Sequence, residues 1–217
     1  MFLLYINGDT PTADFNTYPG ITIAQATGVT YGSGTINALQ ITGNTNNFNS
    51  LQVAYKTGTT ATAIIAESNV RHSASNLASD GFMSIANSGV TATTTNVIDV
   101  EMGYYSSYFL QGYITGGSFT ALNQQGTDIS TWTYATVQNP TSGSFYSSIA
   151  PQLYSTTGGY SGTVAANPIY NNEPLYIGFG ACQTTASNTY DIYINWARAR
   201  AYPPAGVMPG FSFGSVA

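Results

Sequence analysis

The chain contains few charged residues and almost no cysteine. Only 6% of its 217 residues are charged, with four Lys or Arg and a formal net charge of -5, whereas an ordinary soluble domain has about 25% charged residues. Four basic residues supply no patch that could neutralise a phosphate backbone, so the composition argues against a nucleic-acid partner. Cys182 is the only cysteine, which excludes an intrachain disulfide.

The sequence also lacks long apolar runs and glycosylation acceptors. No run reaches the roughly 18 apolar residues of a membrane-spanning helix, and the opening MFLLYI has neither the basic region nor the apolar length of a secretory signal. With 18 Asn and 51 Ser plus Thr, chance would give about four Asn-x-Ser/Thr acceptors, yet none is present. We therefore expect a protein that reaches the exterior without a glycosylating secretory pathway.

The scarcity of carboxylates bears on the response to pH. Acid unfolding mostly proceeds by protonation of carboxylates that are paired in the native state. The chain has nine carboxylates, and residues 129–172 carry no charge at all. This composition predicts tolerance of acid and suits an acidic or hot exterior.

What the sequence does contain is a repeated strand-and-turn pattern. Apolar and polar residues alternate in short segments such as INALQITG, VIDVEMGYY and YDIYINW, separated by Gly, Ser, Asn or Pro. About eleven or twelve such strands predict an all-β fold of two packed antiparallel sheets. No linker or composition shift divides residues 1–217, so we expect one domain. In the last strand, the alternation places Trp196 on the core face with Ile192 and Ile194.

The order of segments in the second half of the chain resembles that of a known family of domains. The segments VIDVEMGYYSSYFLQGYI and WTYATVQNPTSGSFYSSI precede a final strand with Trp196, Arg198 and Arg200, and then PPAGVMP and a short SFGS tail. This order, from about Gly81 to Ala217, resembles a concanavalin-like or laminin-G-like jelly roll, and in particular the lectin-like domains of archaeal surface proteins. The resemblance implies a jelly-roll sandwich in an archaeal or archaeal-virus setting.

Two carboxylates lie two residues apart in NVIDVEMGYY. Residues i and i+2 of a strand share a face at a spacing of about 6.5 to 7 Å, so Asp99 and Glu101 would form a pair. Laminarinase-type hydrolases, which share the fold that the chain resembles, carry E-x-D-x-E on one strand, and this alignment places Val97 at the nucleophile position. Retaining hydrolysis needs a second carboxylate to attack the sugar. A remote one, such as Glu67 or Glu173, could complete a pair, but we predict no enzyme.

The same strand holds metals in legume-type lectins, which offers a second interpretation of the acidic pair. Calcium takes six to eight oxygen ligands, whereas the residues after Glu101 read MGYYSSYF, without the Asn and second Asp of the lectin pattern. We therefore predict no structural metal and no cofactor. His72, the only histidine, lies in RHSASN and is interpreted as a surface loop residue.

Tyrosines are the remaining candidates for ligand binding. Among 17 Tyr, Tyr104, Tyr105 and Tyr108 follow the acidic pair and lie beside turn-like Ser and Gly. Such rings can stack on sugars or anchor a protein partner, although tyrosine is also an ordinary cross-strand residue on a sheet surface. Together with Asp99 and Glu101 they form the predicted ligand-binding set.

The C-terminal segment 203–217 is apolar and uncharged. After two prolines it presents Val207, Met208, Phe211 and Phe213, which would lose several kcal/mol if left in water. We expect these residues to pack either as a closing strand of their own domain or as an interface with a neighbouring subunit.

Two classes of function remain open at this stage. The first is a non-catalytic structural or adhesive subunit on a virion or a cell-surface appendage of a thermophilic archaeal system, whose partners are other copies, other virion or appendage proteins, or host glycans. The second is a lectin-like module or a degenerate hydrolase. The absent signal and acceptors favour the first class, at an extracellular location.

Overall fold

The computed structural model describes residues 2–17, 19–43, 53–60, 64–72, 79–86, 96–104, 108–115, 118–126, 131–139, 144–150, 159–163, 174–183 and 190–201. This part of the chain is almost entirely β-strand, with one short 3-10 helix at Thr12–Asp14. The strands are β1 (Phe2–Asn7), β2 (Asn16–Thr17), β3 (Thr22–Tyr31), β4 (Gly34–Gly43), β5 (Val53–Thr60), β6 (Ile64–His72), β7 (Ser79–Ala86), β8 (Asn96–Tyr104), β9 (Tyr108–Thr115), β10 (Ser118–Gly126), β11 (Thr133–Asn139), β12 (Ser144–Ala150), β13 (Gly159–Thr163), β14 (Pro174–Gln183) and β15 (Tyr190–Ala201).

The strands form two antiparallel sheets. The eight-stranded sheet has the order β13-β12-β11-β6-β15-β4-β3, with β1 also paired to β15, and the seven-stranded sheet has the order β10-β9-β8-β7-β14-β5-β2. Apolar residues from both sheets are buried together, among them Ile41 and Val70 from the first and Met83, Ile85 and Phe179 from the second. The prediction of a two-sheet jelly-roll sandwich is confirmed.

Strand β15 lies in the middle of the eight-stranded sheet. It pairs with β6 along one edge and with β4 and then β1 along the other. Its residues 190–194 pair with β4, and its residues 196–200 pair with β1. The register against β6 shifts between Ile194 and Trp196, which marks a β-bulge at Asn195. A bulge of one residue moves every later side chain to the opposite face of the sheet.

The bulge changes the position of Trp196. Ile192 and Ile194 are fully buried in the core, but beyond the bulge the buried residues are Ala197 and Ala199. Trp196 lies on the outer face, where its ring is 6.1 Å from the ring of Tyr134. The prediction that Trp196 belongs to the core is therefore wrong, since simple alternation does not allow for an inserted residue.

Residues 28–37, which we call the β3–β4 arm, extend beyond the pairing of β4 with β15. The arm begins at Gly28, whose φ of +71° accompanies a register shift between Ala26 and Val29. At its far end, the Thr30 carbonyl accepts a 2.8 Å hydrogen bond from Trp132 Nε1. Trp132 adjoins β11, two strands away from β15, so the arm crosses the outer face of the eight-stranded sheet.

His72 lies at the end of β6, opposite Ile192, and is fully buried. The prediction of a surface loop residue is wrong because β6 continues through Arg71 and His72. Burial lowers the pKa of His72 from 6.5 to about 3, since a charged imidazolium would lose its hydration in the core. The imidazole is therefore neutral in the folded protein at pH 7.

This buried histidine predicts a specific loss of stability in acid. The unfolded chain binds a proton near pH 6.5 that the native protein does not bind until about pH 3, so the free energy of unfolding falls as pH decreases through that window. We expect His72→Leu to flatten the decrease of the melting temperature between pH 7 and pH 3.5, measured by calorimetry. Asp14→Asn, at an exposed carboxylate, should keep the wild-type slope. Parallel slopes for wild type and His72→Leu would contradict this prediction.

Candidate functional site

The predicted acidic pair lies on β8, near the middle of the seven-stranded sheet. Asp99 pairs with Ser84 and Glu101 pairs with Phe82 on β7. These positions alternate with the buried Met83 and Ile85, so the backbone register assigns positions 99 and 101 to the outer face of this sheet. Position 97, occupied by valine, has the same parity and pairs with Ala86.

The structure describes only two of the remaining predicted residues, Tyr104 and Tyr108. Tyr104, at the end of β8, pairs with Tyr108, at the start of β9, which brings two predicted tyrosines together near the acidic pair. The other predicted positions lie outside the described residues: Tyr105, Val207, Met208, Phe211 and Phe213.

Glu67 cannot complete a catalytic pair with Glu101, because the two residues belong to different sheets. Glu67 is on β6, where it pairs with Arg198 across to β15. Its side chain is fully buried and accepts hydrogen bonds from Arg198 Nε at 2.6 Å and from Arg200 Nη2 at 3.0 Å. The fold therefore excludes the alternative in which Glu67 completes a pair with the acidic strand, and Glu173 lies outside the described residues.

These two arginines belong to a cluster that we call the arginine face. It occupies the outer side of the eight-stranded sheet and consists of Arg71, Arg198, Arg200, Trp132 and Trp196. It contains all three arginines and both tryptophans of the chain. Charged and aromatic side chains of this kind are enriched at the energetic centres of protein interfaces.

Arg71 lies between two aromatic rings. Its guanidinium carbon is 5.5 Å from the Trp132 ring centre and 5.0 Å from the Tyr193 ring centre, within cation–π range. Its Nε is buried and has no hydrogen-bond acceptor among the described residues. Burial raises the pKa of Tyr193, with Asp191 adding to the rise and Arg71 opposing it, so the phenol stays neutral next to the arginine.

A second aromatic group continues the same surface. The guanidinium of Arg198 lies 5.0 Å above the Trp196 ring. The Tyr31 ring of the β3–β4 arm is 5.4 Å from Trp132 in an edge-to-face arrangement. A hydrogen bond with Tyr31, followed by burial, raises the pKa of Tyr134. The arm thus fixes the aromatic rings of this face in place.

Sequence reasoning missed the arginine face because its parts are far apart in the chain. Arg198 and Glu67 are separated by 131 residues, and their contact depends on the register of β6 against β15. The period-two spacing of Trp196, Arg198 and Arg200 was the one available signal, since it puts three interface-type residues on one face of a strand.

Two further points concern the described residues: clusters of metal ligands and membrane-spanning helices. Within these ranges, no group of three or more His, Cys, Asp or Glu is arranged to hold a metal ion. Among the same residues, no helix is long and apolar enough to cross a membrane.

The chain is similar to a protein of an archaeal virus. "Uncharacterized protein 562" of Sulfolobus islandicus rod-shaped virus 1 is 37% identical over 96% of this chain, and the match covers 38% of the viral protein. The chain therefore spans about two fifths of the length of this relative. No family model matches the chain.

Solved structures share the fold at low sequence identity. A protein of unknown function from Shewanella oneidensis has a TM-score of 0.62, with 16% identity over 95% of this chain and 88% of its own. The GH16 protein of the Bacteroides ovatus mixed linkage glucan PUL has a TM-score of 0.61, with 10% identity over 91% of this chain and 100% of its own.

The catalytic domain of an endo-1,3-beta-glucanase (laminarinase) from Thermotoga petrophila has a TM-score of 0.55, with 11% identity over 92% of this chain and 96% of its own. At sequence identities this low, the similarity to these solved structures shows the fold alone. The chain thus combines a jelly-roll sandwich like that of GH16 proteins with sequence similarity to part of an archaeal virus protein.

Proposed function

We propose that the chain is a non-catalytic structural or adhesive module of a virion surface protein from a thermophilic archaeal virus system. The observation that supports this proposal is the 37% identity to a viral protein over nearly the whole chain. The low charge of the sequence, whose polarity comes mainly from hydroxyls and amides, agrees with an exterior location.

The arrangement of β8 supports the absence of hydrolysis. Positions 97, 99 and 101 share the outer face of the seven-stranded sheet, and the first of them is valine. Retaining hydrolysis needs a carboxylate about 5 to 5.5 Å from the acid to attack the anomeric carbon, and valine at the nucleophile position of the laminarinase pattern cannot supply one. Glu67, the buried carboxylate of β6, is held by two arginines in the other sheet.

Hydrolase assays test the non-catalytic part of the proposal. We expect no release of reducing sugar from laminarin, lichenan or xylan at acidic or neutral pH. A matched sample of Glu101→Gln should give the same background as wild type. Turnover by the wild-type protein that disappears in Glu101→Gln would show that the chain is an enzyme.

Immunogold labelling of purified particles tests the location. Antibodies raised against the folded chain should label the outer surface of intact virus particles in electron micrographs. Labelling confined to material that does not sediment with particles would overturn the virion assignment.

A carbohydrate-binding module is the second candidate. It is favoured by the GH16-like fold and by the register that gathers Asp99, Glu101, Tyr104 and Tyr108 on β8 and β9. Binding to laminarin that is lost in Tyr104→Ala, without any turnover, would favour this candidate over a purely structural role.

A further inference from the structure

The three arginines of the arginine face differ in their partners. Arg198 and Arg200 both bind the buried carboxylate of Glu67, at 2.6 and 3.0 Å. The side chain of Arg71 makes no ion pair or hydrogen bond with any described residue, and its Nε is buried without an acceptor. A guanidinium carries five N–H donors and stays charged in proteins. Arg71 therefore has a charge and donors that the described part of the chain does not use.

Two aromatic rings hold the Arg71 guanidinium in place. Tyr193 is the cross-strand partner of Arg71 on β15, and the guanidinium carbon lies 5.0 Å from its ring centre and 5.5 Å from that of Trp132. Because Nε is buried while the side chain as a whole is only half-buried, the part that meets solvent is the pair of terminal Nη nitrogens. These two nitrogens form a fork that matches the two oxygens of a carboxylate.

The β3–β4 arm fixes Trp132 as well. The indole Nε1 donates a 2.8 Å hydrogen bond to the Thr30 carbonyl, and the Tyr31 ring packs edge-to-face on the indole at 5.4 Å. A guanidinium held between fixed rings loses little conformational entropy when it binds a ligand. The rings of Tyr31, Trp132 and Tyr193 are only half-buried, so they also offer apolar surface to a ligand. We call these three residues and Arg71 the Arg71 site.

The nearby carboxylates already have hydrogen-bond donors. Asp191, two residues before Tyr193 on β15, accepts a 2.5 Å hydrogen bond from Thr42 Oγ1. Asp9, near the base of the arm, accepts hydrogen bonds from two side-chain amides, and Glu67 is held by its two arginines. A single free guanidinium with Asp191 in the same strand region suits a ligand group of one negative charge. A phosphate ester, with nearly two charges, would be repelled more strongly by Asp191.

We propose that the Arg71 site binds the carboxylate of an acidic sugar, a uronate unit of a glycan. The terminal Nη nitrogens of Arg71 donate two parallel hydrogen bonds to the carboxylate, and the C–H face of the sugar packs against the neighbouring rings. This inference rests on the adhesive part of the proposed function and names its class of ligand. The site lies on the eight-stranded sheet, whereas the second candidate function uses β8 and β9 of the other sheet.

Calorimetric titration of the wild-type chain with trigalacturonate at low salt tests the class of ligand. The trimethyl ester of the same trisaccharide is the matched control, because it has the same rings without the charge. We expect trigalacturonate to bind at least about tenfold more tightly than the ester. Equal affinities, or no binding of either sugar at millimolar concentration, would overturn the proposal. This comparison does not depend on the folding of any variant.

Two substitutions of Arg71 locate the ligand. Arg71→Met removes the charge and keeps an apolar stem, and it should weaken the binding of trigalacturonate by about tenfold or more and remove the preference over the ester. Arg71→Lys keeps the charge without the fork and should restore only part of the affinity. Lys56→Met removes the same charge from β5 in the other sheet and should bind like wild type.

Circular dichroism spectra verify that each variant is folded. A folded Arg71→Met variant that binds trigalacturonate like wild type would overturn the proposal, as would an equal loss of affinity in Lys56→Met. If Tyr104→Ala abolishes the binding while Arg71→Met does not, the sugar binds at β8 and the inference is wrong.

An acidic peptide distinguishes a glycan from a protein ligand. If hexaglutamate binds at least as tightly as trigalacturonate and Arg71→Met weakens both, the site takes acidic protein segments and the inference is wrong. The outcome is also separate from the virion assignment. Gold labelling of particles without any binding of trigalacturonate would leave the proposed function intact and overturn the inference. Binding that depends on Arg71, by a chain absent from particles, would support the inference and overturn the virion assignment.

Discussion

Replacement of Glu67 by glutamine should lower the free energy of unfolding by about 3 kcal/mol. The carboxylate is fully buried, whereas the side chains of Arg198 and Arg200 are 22% and 13% exposed. Loss of the one negative charge leaves two arginines close together and only partly hydrated. For a chain of this size, we expect the melting temperature to fall by about 6 to 12 °C in a calorimetric scan.

A triple variant distinguishes two causes of the lost free energy of unfolding: unpaired arginine charges and lost side-chain packing. Glu67→Leu combined with Arg198→Met and Arg200→Met removes all three charges and keeps side chains of similar length. Because whole buried ion clusters can be replaced by apolar residues at little cost, the triple variant should recover more than half of the stability lost in Glu67→Gln. A glutamine variant as stable as wild type would show that the cluster contributes little to folding.

Gly8→Ala should also destabilise the protein strongly, through the backbone of β4. A Cβ added at Gly8 would collide with the main-chain carbonyl of Asn37 and lie 2.6 Å from the Ala38 nitrogen. These are backbone atoms, so no side-chain rotation can relieve the contact. We expect a loss of about 2 to 3 kcal/mol in urea unfolding, in the upper range for overpacked sites.

Gly34→Ala is the matched control for this prediction. Gly34 lies in the same strand as Asn37, but the nearest atom to an added Cβ is the Tyr31 oxygen at 4.0 Å. Alanine there should leave stability unchanged or raise it by a few tenths of a kcal/mol, because the unfolded chain loses freedom. Equal losses at both positions would indicate a general effect of glycine replacement rather than the predicted collision.

Hydrogen bonds around the same turn explain why the close approach is maintained. Asp9 Oδ1 accepts hydrogen bonds from Asn37 Nδ2 at 2.9 Å and from Gln25 Nε2 at 3.1 Å. The Gly8 carbonyl accepts a further bond from Gln25 Nε2 at 3.0 Å. The turn after β1 is thus joined to both strands that lead into the β3–β4 arm.

The fold could be predicted from the sequence because alternation is a local signal. Each strand with one buried face repeats apolar residues at every second position, and the turns between strands carry their own composition. The same reasoning fails at Trp196, since nothing in YDIYINW shows that Asn195 forms a bulge. It also fails at His72, which a polar sequence context places in a loop although β6 extends through it.

The two candidate surfaces differ in how far the sequence predicts them, for a related reason. Asp99 and Glu101 are neighbours on one strand, so their shared face follows from spacing alone. The arginine face brings together β6, β11 and β15, and a sequence does not give the order or register of strands so far apart. The sequence also did not predict that Trp196 belongs to the arginine face. The bulge at Asn195 places Trp196 on the side of the sheet that bears Arg198.

The position of β15 in the eight-stranded sheet has a consequence for the order of folding. This strand is the last that the structure describes, yet it pairs with β1, β4 and β6, all from the first third of the chain. Until the ribosome has synthesised residue 201, these early strands have open edges that can pair with other chains. Contacts of such long sequence separation also form slowly. Nascent chains of this protein are therefore expected to need protection from aggregation until translation passes β15.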